Sequence, residues 1–317
     1  MITKKTGVFL LSLDFEALWG AIGGLNKNEF NSFYNHVKDD EKIVNTLLEV
    51  FAEYNIHATW ATVGAMLCNN KEEALQYVRN DIYYPKWDIS IKQFISNIQE
   101  PSLFFMPNLV RTVASVQGQE IGSHTFSHYY GNELGVSDDL LKQEIESSKL
   151  IFSKEGYSIK SLIMPRNQVE NLNTDILTQN GIIAVRGRNH SPKRGALGRV
   201  INFLDSYLPI FQCTYALPVC PGMGIVDLKA SLFFRSFFKK LRVLEGLKLW
   251  RIKTAMTQAA KKGECFHLWF HPHNLGNNLE YNITTLKKIF KHYHNLSIKY
   301  GLQSLTMAEC IDYIKEY

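Results

Sequence analysis

Cysteine is scarce and scattered: Cys68, Cys213, Cys220, Cys265 and Cys310 form an odd set without a C-x-x-C pair. Such a set gives no disulfide framework and suits a reducing cytosol. Long apolar runs are also missing, and none approaches the roughly 20 residues of a membrane span. The first apolar run, Val8-Phe9-Leu10-Leu11-Ser12-Leu13, stops at Asp14. It is too short for a signal-peptide core and reads as a buried first strand. No Pro/Gly/Ser-rich linker, low-complexity tract or repeat divides the chain, so residues 1–317 read as one domain. No nucleic-acid-binding motif is present, and positive charge is local, which argues against a nucleic-acid partner.

What the chain does contain is an ordinary globular composition, 45% hydrophobic and 21% charged over 317 residues. Together with the missing leader and spans, it reads as a cytoplasmic, enzyme-sized protein. The net charge of +5 is uneven. Residues 229–262 hold ten Lys/Arg and one acid, Glu245, for +9, which leaves 5 − 9 = −4 elsewhere. Leucines, phenylalanines and Trp250 alternate with those cations. The segment reads first as a helix with a solvated charged face, and second as a peripheral contact with an anionic membrane or a diphosphate-linked sugar.

Short β-branched and aromatic runs recur: Val8–Leu13, Ile56–Val63, Glu120–Ser123, Ser161–Met164, Ile182–Val185, Cys265–Phe270 and Leu302–Leu305. Amphipathic stretches separate them. Asp40–Tyr54 places Ile43, Leu47, Val50 and Phe51 on one face, and Ser137–Phe152 opens on a Ser N-cap. Asn173–Gln179 stops at Asn180-Gly181. This alternation predicts an α/β fold with a mainly parallel sheet. In such folds chemistry gathers where strands end. Asp14 and Glu16 follow the first strand, His124 the third, Arg166 the fourth, and His271 the strand containing His267.

His124-Thr125-Phe126-Ser127-His128 puts two imidazoles four residues apart at a strand-to-loop junction, where both can reach one ion. Asp14 and Glu16, at i and i+2, share a face of an extended strand. Buried carboxylates there need a cation or a partner. His267, Trp269 and His271 alternate onto one face. A histidine ending that strand can act as a general acid, its ordinary pKa being about 6.5.

In these segments and their order the chain resembles the NodB-type polysaccharide deacetylases of carbohydrate esterase family 4. The family's T-F-D-D motif corresponds to Ser12-Leu13-Asp14-Phe15, and its H-[ST]-x-x-H motif is matched in full by His124–His128. Its Arg/Pro segment is similar to Met164-Pro165-Arg166-Asn167, and its closing Leu-x-His to Trp269-Phe270-His271. The resemblance implies a distorted (β/α)7-type barrel. It also implies a divalent ion, usually zinc and sometimes cobalt or nickel, held by one carboxylate and two histidines, with a metal-activated water as nucleophile.

The family's metal-binding carboxylate falls at Phe15, which cannot ligate. Strand alternation offers Glu16 in its place, giving Glu16, His124 and His128 as ligands and Asp14 as base, with the roles of Asp14 and Glu16 exchangeable. His271 would protonate the departing amine and Arg166 would orient Asp14. The implied substrate is a carbohydrate bearing an N-acyl group, lipid- or nucleotide-linked, in bacterial surface-polysaccharide (lipopolysaccharide) assembly. Two alternatives stand: a metal-independent hydrolase of a small non-sugar amide, and an inactive glycan- or lipid-binding relative. An aromatic insertion at 68–118, with Tyr83, Tyr84, Pro85, Trp87, Phe94, Phe104 and Phe105, reads as a satellite core or a sugar-stacking loop.

Overall fold

A computed structural model of the chain describes residues 6–22, 33–84, 88–132, 137–169, 172–189, 195–219 and 224–316. Pro85, Trp87 and Cys220 lie outside the described residues. Strand β1 (Val8–Phe15) is buried at every position and sits at the centre of the fold. Its two faces differ. Phe9, Leu11, Leu13 and Phe15 point outward into the large core shared with the helices. Val8 and Leu10 point inward to a smaller apolar cluster with Ala61, Ile163, Ala184, Cys265 and Met307. The inward series then turns polar at Ser12 and Asp14. A strand buried on both faces belongs to a parallel sheet covered by helices.

Around β1 run β2 (Ala58–Thr62), β3 (Gln119–Ser123), β4 (Ser161–Leu162), β5 (Ala184–Val185), β6 (Tyr215–Ala216), β7 (Val226–Asp227), β8 (Leu232–Phe233), β9 (Glu264–Phe270) and β10 (Gln303–Leu305). The order is β8–β9–β1–β2–β3–β4–β5–β7, with β10 beside β1 and β6 beside β9. All pairs are parallel except β6 with β9. β1 gives Val8–Leu10 to β10 and Ser12–Phe15 to β2. The edge strands β7 and β8 are joined by residues 228–231 alone, a span of at most about 17 Å, so the sheet must curl until its edges approach. Ala230 bridges Arg188, and Ser231 N–H donates to His267 O (2.9 Å). The result is the curled sheet of a distorted (β/α)7-type barrel.

Helices α1 (Asp40–Tyr54), α2 (Asp138–Lys154), α3 (Glu245–Lys262) and α4 (Leu279–Tyr300) cover the outside, while α5 (Met307–Lys315) packs Met307, Cys310, Ile311 and Ile314 into the inward cluster. Ser137 caps α2 by accepting from Leu140 N–H, as its sequence position predicts. The insertion differs from a satellite cluster. Phe94, Phe104 and Phe105 pack on Trp19, with ring centroids 6.2, 5.5 and 6.0 Å away. They belong to the main core and back the turn that follows Glu16. Residues 229–262 are not one helix: they run through β8 and a 3-10 turn (Lys239–Leu244) before α3.

Candidate active site

Three segments meet at the C-terminal mouth of the barrel. The first is the end of β1. Phe15 turns outward, its ring edge-on to Trp60 at 5.5 Å, so Glu16 faces inward after Asp14. Gly20, in the following 3-10 turn, makes room for that carboxylate: a Cβ there would lie 2.2 Å from Glu16 Oε1.

The second segment is the loop His124–His128, which is not helical. Thr125 and His128 adopt left-handed φ of 64° and 62°. Non-glycine residues hold such values only when their surroundings fix them. The surroundings here are explicit. Gly64 and Ala65 N–H donate to Thr125 O and Phe126 O (both 2.9 Å). From α2, buried Glu144 accepts Ser127 N–H (2.8 Å) and O–H (2.7 Å). Burial pushes the Glu144 carboxyl up to about 6 against those hydrogen bonds.

His128 Nε2 stands 2.9 Å and His124 Nε2 3.4 Å from Glu16 Oε2. One ligand atom from each residue lies within 4.8 Å of the other two. Ligands about 2.0–2.2 Å from a tetrahedral ion are about 3.3–3.6 Å apart, so the cluster has the size of a metal site. Its protonation also fits. The Ile163 carbonyl, 2.7 Å from His124 Nδ1, can only accept, so Nδ1 carries the hydrogen and Nε2 offers a lone pair. His128 Nδ1 is buried without a hydrogen-bond partner among the described residues. Burial holds the His128 pKa down despite Glu16, so the ring is neutral, as a ligand must be.

The third segment is the end of β9. His271 Nε2 lies 3.7 Å from both Asp14 Oδ2 and Glu16 Oε1. The Asn274 amide nitrogen, 3.3 Å from His271 Nδ1, donates to it and leaves the hydrogen on Nε2. With 23% of its side chain exposed, against 4% for Asp14 and 7% for Glu16, His271 is the most exposed of the three. Burial would raise both carboxyls. Arg186, His271 and His124 override it at Asp14, and His271 and His128 override it more strongly at Glu16, so both stay ionised.

The arginine on Asp14 is Arg186, not Arg166. Arg186 Nη1 and Nη2 reach Asp14 at 2.7 and 2.8 Å, Nη1 also reaches Ser12 Oγ (2.8 Å), and Nε reaches Asn167 Oδ1 (2.7 Å). The guanidinium is fully buried and stacks 4.4 Å from the Trp269 ring centroid. Arg166 is exposed at the rim, 4.4 Å over the Tyr130 ring, because its left-handed φ of 58° swings it outward. Below Arg186, His267 Nδ1 donates to Leu228 O (3.0 Å) and its Nε2 accepts the Ser12 hydroxyl (2.7 Å). Burial keeps His267 neutral, its pKa down at about 3. His267 and Ser12 therefore brace Arg186, and Arg186 braces Asp14. Sequence reasoning missed Arg186, although it ends β5 as the other site residues end their strands. It missed Glu144 too, an acid on the apolar side of α2.

The "Polysaccharide deacetylase" family model matches residues 30–185, about half of the chain. That stretch contains His124, His128 and Arg166, but not Asp14, Glu16 or His271. No curated protein matches the chain in sequence. The fold is similar to a candidate polysaccharide deacetylase from Mycobacterium smegmatis (TM-score 0.64, 13% identity, 100% of this chain and 92% of that one). It is also similar to the PuuE allantoinase (0.56, 10%, 98% and 91%). A further likeness is to a candidate polysaccharide deacetylase from Pseudomonas aeruginosa PAO1 (0.54, 10%, 98% and 90%). At these identities the likenesses show the fold, while the motifs and the family match carry the assignment. The chain belongs to the NodB-type polysaccharide deacetylases of carbohydrate esterase family 4, a family of carbon–nitrogen amide hydrolases.

Proposed function

We propose that this protein is a metal-dependent N-deacetylase acting on an amino sugar in bacterial surface-polysaccharide assembly. The sugar would be carried on a lipid or a nucleotide, at the cytoplasmic side, with a peripheral seat on the membrane through residues 229–262. The single observation that supports the chemistry is the Glu16–His124–His128 cluster with Asp14 and His271 beside it. Glu16, His124 and His128 would hold a divalent ion, zinc by ligand type, which when bound supplies the positive charge that acidifies water and steadies an oxyanion.

The chain's own groups do the proton work. Arg186 holds Asp14 ionised and aimed into the mouth, where it takes the proton of the attacking water. His271 Nε2–H gives its proton to the amide nitrogen as the C–N bond breaks, without which an amine would not leave. His271→Ala should therefore cost about 10²–10⁴-fold on an N-acetyl sugar and far less on an aryl acetate.

Metal content measured together with acetate release from free, nucleotide-linked and lipid-linked N-acetyl sugars tests the reading. About one ion per chain with release supports it, and turnover without metal selects the metal-independent amide hydrolase. No release from any sugar selects an inactive glycan- or lipid-binding relative. Asp14→Asn should keep the ion and lose turnover, whereas Glu16→Gln should lose the ion. The opposite result exchanges their roles.

A further inference from the structure

The basic segment does not present one uniform face. Two of its cations point inward. Lys248 is buried, with Nζ 2.6 Å from Glu245 Oε2 and donating to Arg235 O (2.9 Å). Arg251 is buried against Asp205 (3.2 Å) and donates to Phe211 O (2.6 Å). The segment's single acid, Glu245, is thus buried and paired, and the outer surface carries no acid of its own.

Of the exposed cations, Lys229, Lys261 and Lys262 stand apart, while three others share residues 238–250 with exposed apolar side chains. Lys239, Lys240 and Arg242 are exposed, and no acid among the described residues forms an ion pair with them. Between and beside them stand Phe238, Val243, Leu247 and Trp250, exposed by 53, 88, 40 and 49%. Val243, Leu247 and Trp250 are spaced four and three residues apart across the junction into α3, so they form one stripe. Leu204, Leu208 and Ile210, exposed by 38, 41 and 42%, border this surface across the Arg251–Asp205 ion pair. Large apolar side chains this exposed, rimmed by cations, mark an interaction surface.

We infer that residues 238–250 form a docking face for an anionic lipid bilayer. Charge complementarity selects that occupant: cations seat on the headgroups while Phe238, Val243, Leu247 and Trp250 enter the acyl boundary. Position in the fold supports it as well. Phe233 of β8 lies 4.6 Å from the Trp269 ring and 5.8 Å from His271, and Phe238 follows it by five residues, at most about 17 Å of chain. The docking face therefore sits beside the active-site mouth, where a sugar on a membrane carrier would stand. This inference narrows the proposed seat at 229–262 and rests on that part of the proposed reading.

Flotation of the full chain with phosphatidylglycerol/phosphatidylcholine vesicles, against phosphatidylcholine alone, tests it without any turnover. Binding should need the anionic lipid and fall with salt. The triple change Lys239→Glu, Lys240→Glu and Arg242→Glu should weaken it by at least about a hundredfold. Val243→Asp should weaken it by about tenfold or more, with circular dichroism and aryl-acetate turnover unchanged. The control triple Lys253→Glu, Lys261→Glu and Lys262→Glu has the same net charge on another part of α3 and should lose less than twofold. Equal loss in both triples, equal binding to neutral vesicles, or a dimer seen by light scattering and broken by Val243→Asp would overturn the inference. A chain that floats but releases no acetate loses the deacetylase reading and keeps the docking face.

Discussion

Each end of the barrel carries a histidine–carboxylate pair of nearly the same length. At the C-terminal mouth His128 meets Glu16 at 2.9 Å, and at the opposite end His57 meets Glu309 at 2.8 Å. Their surroundings differ in kind. Glu309 also caps α5, accepting Thr306 N–H (2.8 Å), and His57 N–H donates to Ser304 Oγ (3.0 Å). Nearby, Glu120 accepts from Thr59 Oγ1 (2.7 Å), Ser161 Oγ (2.6 Å) and Ala308 N–H (3.1 Å). That end is a set of satisfied caps. The mouth instead gathers left-handed Ala17, Thr125, His128, Arg166 and Asn167, against Asn55 at the other end, with two ionised carboxylates under cover and a His128 Nδ1 that has no partner among the described residues. Each such backbone position costs about 1–3 kcal/mol. Polar residues alone do not distinguish a site from a scaffold. Stored strain and incomplete pairing do.

The largest expected effect tests whether the polar interior beneath the mouth acts as one charged unit. Arg186→Met removes the partner of Asp14, Ser12 and Asn167 at once and leaves a buried carboxylate uncompensated. Breaking a buried pair this way costs about 3–5 kcal/mol. Lys287→Met, which removes the exposed pair to Glu53 (2.7 Å), should cost far less, because solvent screens that pair. Urea unfolding of both variants makes the comparison. Similar losses would show that Asp14 is not held by charge, and the account of its ionisation would fall with it.

A smaller effect separates the two ends through a pair of glycines. A Cβ on Gly20 would meet Glu16 Oε1 at 2.2 Å, and a Cβ on Gly118 would meet His57 Cδ2 at 2.7 Å. Gly20→Ala should displace a proposed ligand and lower zinc affinity about 10–100-fold, with little change in melting temperature. Gly118 has φ +78°, so Gly118→Ala adds backbone strain to the crowding. It should cost about 1 kcal/mol or more of stability and leave zinc affinity alone. Zinc titration beside thermal melts reads both. Lost metal affinity in Gly118→Ala would erase the distinction between the ends.

The sequence carried the sheet's centre well and its edges poorly. β1, β2, β3 and β9 are runs of five to eight residues, long enough for apolar clustering to register. Asp40–Tyr54 coincides with α1 because its apolar positions follow the helical period without interruption. β6, β7 and β8 have two residues each, too few to express any period. The same limit hid the barrel's closure. Glu16 was reached by strand alternation, and the structure brings it to His124 and His128. Arg186 was legible by the strand-end rule but lay outside the recognised motifs, so Arg166 stood in its place. The inward turn of Lys248 and Arg251 was hidden because a charge on an amphipathic segment is read as solvated, and only tertiary contacts show otherwise.

The smallest effect concerns the end opposite the site, where the pair should behave as ordinary linkage predicts. Hydrogen bonding to Glu309 raises the His57 pKa above its usual value, with burial opposing. Burial would raise Glu309, but His57 and the Thr306 N–H hold it below. A histidine with a raised folded pKa contributes stability that is complete below its unfolded value, about 6.5, and disappears as pH climbs through the folded value. The lowered carboxyl works oppositely: its contribution is present above the unfolded value, about 4.3, and is lost as pH falls through the folded one. The pair is therefore strongest between those limits. Because 41% of the Glu309 side chain is exposed, solvent screening limits the gain to about 1 kcal/mol or less. Melting temperature followed from pH 5 to about 8 should show the advantage of the parent over His57→Gln shrinking above 6.5, on top of the rise that the buried neutral His128 and His267 give both proteins. A difference between the two proteins that stays constant through this range would mean that His57 is neutral in the fold, and the two histidine–carboxylate pairs would then be more alike than their surroundings suggest.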